Sequence, residues 1–285
     1  MKYSKPFVHI RACLEKVLKK TKKVYLKEGI HFDEKEVIKE AFDRFVNCNE
    51  LPPVPRVCFK NLLYSEFIDK DVLNIYLETK ELKNFLLNTE VTKDRDAIRN
   101  FICKHGNYVT SKDLKLYQLS IHFRIPEETD AYSCALYYLH QDNDEVIGAV
   151  MIQDTMEVKN NLTVFFANKN DDKGWDEVNK NDIKLALNFI YYVLTFPDAL
   201  IDGKPVEADR DTDHAFMPKR TLKVHPKIVA SEETIEEHDK QVRVTHFRKG
   251  HFRHLISDYF KEKKGQWVFV HGAIIKGAPA KTLLG

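Results

Sequence analysis

At 285 residues the chain can hold one large domain or two smaller ones, with ample material for a core. Apolar residues at 43% and charged residues at 31% argue against extensive disorder. Forty-five Lys and Arg against 43 Asp and Glu leave a net charge of +2, so bulk charge will not attract a partner and local patches must. Cys13, Cys48, Cys58, Cys103 and Cys134 are odd in number and scattered, which suits reduced, mostly buried thiols in a cytoplasmic protein. The start lacks the apolar run of a signal peptide, and the longest uncharged apolar stretch, Leu185 to Pro197, is too short to span a bilayer.

Taken in order, Phe7 to Glu28 reads as an amphipathic helix. Ile10, Leu14, Val17 and Val24 fall near one face, and Lys16, Lys19, Lys20, Lys23 and Lys27 on another. That lysine stripe suits either a solvated face or contact with RNA or a ribosome. Gly29 ends the helix, and Asp33 opens a second one to about Asn47. Leu51 to Pro55 is a stiff, proline-rich break. Cys58 to Asp69, Asp71 to Leu87 and Asp94 to Lys104 then carry helical periodicity, so residues 1–115 are expected to form a helical region.

Residues 116–285 change texture and predict an α+β domain. Leu119 to Ile125, Ala131 to His140, Glu145 to Met156 and Leu162 to Ala167 read as an antiparallel meander. A long helix from about Asp176 to Thr195 is apolar nearly all round in its second half, and is expected to pack on that sheet. Asp209, Asp211 and Asp213 resemble the opening of a calcium loop, but His214 and Arg220 stand where Gly and Glu are needed, so a solvated acidic loop is favoured.

The densest chemistry lies in Thr245 to His254, expected to form a basic β-ribbon with Gln241 to Thr245 before it and Gln266 to His271 after it. His246 and His251 are the candidate catalytic groups. Arg248, Lys249, Arg253, His254 and His271 are candidate contacts to nucleic acid or a partner, because guanidinium forks and imidazoles suit a phosphate backbone. Gly250 is the natural position for a turn or bulge. An ordinary basic surface hairpin fits the same residues. The histidine spacing matches no metal-ligand set, and no cofactor fingerprint or nucleophile elbow occurs. Two imidazoles beside a cation would permit metal-independent RNA cleavage through the 2′-hydroxyl.

His246-Phe-Arg-Lys-Gly-His-Phe252, followed by Trp267-Val-Phe-Val-His-Gly272, resembles the C-terminal signature of the second type V-A anti-CRISPR family. Leu187 to Asp198, then Asp202-Gly-Lys-Pro-Val206, is similar to that family's apolar helix, Pro-Asp stop and Gly-x-Pro turn. The resemblance spans roughly residues 185 to 277. Phe252 stands where relatives often carry Trp, and nothing after Gly277 corresponds. The resemblance implies a phage or plasmid counter-defence protein in a bacterial cytoplasm. Such a protein would lower production of a host protein by acting on its message or nascent chain during translation. Its expected partners are RNA, a translating ribosome or a nascent polypeptide, with no DNA and no membrane. The competing readings are a ribonuclease built on the ribbon histidines, and an inhibitor that occludes a host defence complex.

Overall fold

The computed structural model describes residues 2–47, 51–69, 71–111, 114–129, 131–141, 144–154, 161–168, 173–178, 182–208, 218–229 and 246–275. Its centre is an eight-stranded sheet covered by helices on both faces. The chain is an α+β protein with N-terminal helices, a mixed sheet and a C-terminal two-stranded ribbon.

Three helices come first: α1 (Val8–Glu28), α2 (Glu34–Asn47) and α3 (Pro53–Tyr64). Gly29 closes α1 with φ at 69°, a conformation glycine adopts without steric cost. The Asp33 carboxylate accepts from the amides of Lys35 and Glu36 at the start of α2. The proline run does not break the chain as expected. Pro53 opens α3, because a ring that fixes φ and lacks an N–H fits the first helical turn. A five-residue π-helical stretch, Ser65–Asp69, extends it.

The largest correction falls on Asp71 to Leu87. Its first part is strand β1 (Leu73–Leu77), and only its second part is helical, within α4 (Lys80–Asn88), capped by Thr79. Helix α5 (Arg95–His105) follows, capped by Asp94. Strands β2 (Asn107–Ser111), β3 (Leu114–Arg124), β4 (Ala131–Gln141), β5 (Asp144–Asp154) and β6 (Asn161–Asn168) pair antiparallel in sequence order. The meander therefore holds, but the sheet is mixed. β1 runs parallel to β3 and to β8 (Lys219–Leu222), and β7 (Leu200–Asp202) closes the edge.

The central strands are buried on both faces, so their residues sort by parity. Cys134 and Leu136 of β4, with Ile147, Ala149 and Met151 of β5, face one core. Ala135, Tyr137, Leu139, Val150 and Ile152 face the other, beneath α1, α2 and α3. Burial pushes the Cys58 and Cys134 thiols above their usual range, whereas Cys13 is exposed. Gly148 sits opposite Tyr137 in register, and a methyl group there would overlap the Tyr137 ring and lie 2.7 Å from the Phe165 carbonyl oxygen. Gly148→Ala is therefore expected to destabilise the fold by about 1–3 kcal/mol or more, read as a lower urea midpoint at unchanged slope.

The long apolar helix expected over Asp176 to Thr195 is instead α6 (Lys173–Val178) and the shorter α7 (Ile183–Thr195). Residues 179–181, between them, lie outside the described residues. α7 lies in the core shared with α4 and α5, with Leu185, Leu187, Phe189 and Ile190 fully buried. After β8 the chain passes through Lys223, Val224 and His225 into the one-turn α8 (Pro226–Val229). Among the described residues, no helix is long and apolar enough to cross a membrane.

Gly250, expected at a turn or bulge, falls at an interruption of the ribbon. β9 (His246–Arg248) pairs with β12 (Ala273–Ile275), and β10 (His251–His254) pairs with β11 (Trp267–Val270). It is one interrupted two-stranded ribbon, with Lys249-Gly250 on one strand opposite His271-Gly272 on the other. Gly250 joins two stretches running in the same direction. A side chain there would press on the Phe269 ring at 2.7 Å, so close approach of a neighbour demands the glycine, not a reversal of the chain. The expected strand Gln241 to Thr245 and the aspartates of the acidic loop lie outside the described residues.

Candidate functional site: a cleft between the ribbon, α5 and α7

The ribbon docks on α7 through a stack of rings. His254 lies on Trp267 at 4.8 Å with planes only 8° apart, and Trp267 lies on Tyr191 of α7 at 5.0 Å. Phe252 is fully buried beside Phe85, Tyr191, Tyr192 and Phe269. Hydrogen bonds fix the register: the Thr92 hydroxyl donates to the Phe252 carbonyl, and the Glu90 amide donates to the Gly250 carbonyl at 3.0 Å. Asp94 ties the ribbon to α5. One carboxylate oxygen caps the helix by accepting from the Ala97 amide, and the other lies 3.1 Å from Nδ1 of His254. That nitrogen therefore carries the proton and donates, and the pair holds the imidazole flat on the indole.

Beside this stack a cleft of about 1200 Å³ opens between α5, α7, β10, β11 and the β7–β8 edge. Phe101, Leu119, Phe189, Val193, Leu194 and Trp267 provide its apolar walls. Charges of both signs ring it. Lys104, Arg220 and Arg253 stand with His105 and His254, and Asp71, Asp94 and Asp96 also line it. Burial, with help from the nearby Lys104 and Arg220 cations, lowers the pKa of His105, so that imidazole is neutral at pH 7. The sheet itself parts here. β2 pairs with β3 up to Gln118 and β1 begins pairing at Ile121, so Leu119 and Ser120 have no strand neighbour on that side. Such gaps, like the switch points of other sheets, are natural ligand crevices.

The residues expected from sequence separate into different places. Arg253 and His254 line the cleft. Lys249 is exposed and faces Lys184 closely enough that burial and this second cation lower the Lys184 pKa, against opposing pulls from Asp182 and Glu90. His271 is exposed and meets Phe269 edge-on at 5.1 Å. His251 is half-buried against the strand-like bridge to Glu90. His251 and His254, three residues apart in one strand, belong to opposite faces. For His246 and Arg248 only the backbone pairing with Ile275 and Ala273 is described.

Sequence reading missed the acidic and apolar parts of the site and, of its basic groups, Lys93, Arg95, Lys104, His105 and Arg220. Asp94 was legible as the start of a helix, but nothing local signals that its second oxygen meets a histidine 160 residues away. Among the described residues, no group of His, Cys, Asp or Glu is arranged to hold a metal ion. No known protein family, curated protein or solved structure matches this chain.

Proposed function

We propose that this is a binding protein of the mobile-element counter-defence kind, which lowers production of a host protein by engaging its nascent chain during translation. The observation that carries the reading is the cleft: apolar, aromatic walls with both carboxylates and cations at the rim. Five cations, Lys93, Arg95, Lys104, Arg220 and Arg253, line it with three carboxylates, Asp71, Asp94 and Asp96, and an extended polypeptide answers both signs and the apolar walls at once, with apolar side chains, amides and charges of its own. The resemblance of His246 to Phe252 and of Leu187 to Val206 to the second type V-A anti-CRISPR family points the same way, and supplies the translational setting. The cleft favours polypeptide over message as the ligand of this site.

The test places a photocrosslinking amino acid at Asn100, an exposed cleft position on α5, and adds the protein to translating extract of the native host. Crosslinks to one enriched polypeptide, shortened and released by puromycin, are expected. Charge reversal by Arg253→Glu is expected to weaken that crosslink severalfold. Crosslinks only to RNA, or only to a finished multisubunit complex, would overturn the reading.

A further inference from the structure

On the opposite side of the sheet from the cleft, α1 outruns the core it packs on. Ile10 and Leu14 are its buried residues, and from Glu15 to Glu28 every side chain is exposed or only partly covered. Along this projecting part, Lys16, Lys20, Lys23 and Lys27 recur at intervals of four, three and four residues, with Lys19 beside them. That spacing sets all five on one face. All five are exposed, and none makes an ion pair among the described residues. No acidic residue falls between Lys16 and Lys27: Glu15 precedes the line, four residues before Lys19 and so beside that end of it, and Glu28 lies off the face. Lys22 is off the stripe, with its ammonium over the Phe32 ring at 5.8 Å.

We infer that this stripe is a docking surface for the phosphate backbone of structured RNA. From Lys16 to Lys27 the helix rises about 16 Å, which gives a cation roughly every 4 Å. That density of fixed cations complements the closely spaced phosphate charges along a nucleic-acid strand. Lysine is a point charge on a flexible stem, suited to phosphates read without sequence. A membrane surface fits less well. The exposed apolar residues of this segment, Val17, Val24 and Leu26, lie on the two flanks of the stripe and form no continuous apolar face, while Ile10 and Leu14 are buried against the protein and Leu18 is partly covered. The surface is on a different helix from the cleft, and its test does not depend on what the cleft holds.

The test is fluorescence anisotropy with a 20-base-pair RNA hairpin across a KCl series. Binding is expected to weaken steeply with salt. The variant K16A/K20A/K23A/K27A is expected to lose about tenfold or more in affinity at 0.1 M KCl, and to flatten the log–log salt slope by about 3. Alanine favours helix, so its circular dichroism melt should be unchanged. A control, K35A/K39A/K261A/K263A, removes equal charge from exposed positions elsewhere and should bind as the parent does. Equal loss in the control would overturn the proposal, because net charge alone would then explain the binding. So would unchanged hairpin binding by the stripe variant, including the case where it loses only affinity for phosphatidylserine vesicles or for polyglutamate. Crosslinking from Asn100 serves as the separate readout of the cleft.

Discussion

Replacing Glu66 with alanine is expected to cost about 3–5 kcal/mol of folding stability. Glu66 has no exposed surface, and its carboxylate serves two donors from opposite sides. One oxygen pairs with the guanidinium of Arg11 on α1, and the other lies 2.9 Å from Nε2 of the buried His122 on β3. His122 in turn has its Nδ1 2.6 Å from the hydroxyl of Ser133, its neighbour across to β4. Burial lowers the His122 pKa, with Arg124 and Arg11 adding to it and Glu66 opposing. The ring is therefore neutral. Nε2–H donates to Glu66, and Nδ1 accepts from the Ser133 hydroxyl.

Serine, histidine and carboxylate in a chain also describe a hydrolase, but all three are sealed in the protein interior, with Phe7 packed edge-on to the imidazole at 5.2 Å. The network joins α1, the π-helical stretch, β3 and β4. Alanine at position 66 would remove the carboxylate that pairs with Arg11 and leave the buried ring N–H of His122 without its acceptor. Arg11 keeps about a quarter of its side chain in solvent, which places the loss toward the lower end of the range. Glu66→Gln should cost less, about 1–2 kcal/mol, because a tautomer change lets Nε2 accept from the amide while Nδ1–H donates to Ser133. Urea unfolding of both variants decides it. A loss below about 1 kcal/mol for alanine would mean that the network contributes little.

The same geometry sets a pH dependence. His122 and His105 both have lowered values in the folded state, so the unfolded chain takes up protons first as pH falls. Their neutral state is no handicap above about pH 6.5, the ordinary histidine value, and becomes a growing one below it. The urea midpoint of the parent is expected to be flat from pH 8 to 7 and to drop from pH 6.5 to 5. In His105→Gln, part of that drop should disappear.

How far the sequence predicted these features depends on how local their causes are. The β3–β6 meander was legible because alternation and a polar turn are properties of adjacent residues. β1 was not. Leu73 to Leu77 is a short apolar run, and such runs fit a buried strand or a helix segment equally well. What makes it a strand is parallel pairing to β3 and β8, whose partners lie far along the chain. The ribbon was legible as β, but its pairing was not, because Ala273–Ile275 reads as an undistinguished tail until β9 is opposite it. Of the cleft's basic groups, only Arg253 and His254 stood out, in the cluster Thr245 to His254; Lys93, Arg95, Lys104, His105 and Arg220 gave no such signal. The aromatic wall from α5, α7 and β11, and the carboxylates of Asp71, Asp94 and Asp96, are likewise assembled only by folding. Glu66, His122 and Ser133 gave no signal, since each is an ordinary residue within an apolar segment.

Phe252→Ala is the second large effect, expected at about 3–5 kcal/mol if the ribbon and the core unfold together. The ring is fully buried, and Phe269 at 5.1 Å, with Phe85, Tyr191 and Tyr192 each at 6.3 Å, closes round it. Its removal leaves a cavity between the ribbon and α7, and loosens the wall that carries Trp267 and His254. If the ribbon opens by itself, the midpoint will move less, but amide exchange in His251–His254 and Trp267–Val270 will rise sharply. The Asn100 crosslink should fall in either case, while the RNA affinity of α1 should be kept. The aromatic found at this place in the resembling family gives the complementary variant. Phe252→Trp preserves the aromatic character but adds a ring to a fully buried site closed in by four other rings, so about 1–3 kcal/mol should be lost to overpacking. A Phe252→Ala protein that melts, exchanges and crosslinks like the parent would mean that the ribbon is not docked on α7. The cleft would then lack the wall on which the polypeptide reading rests.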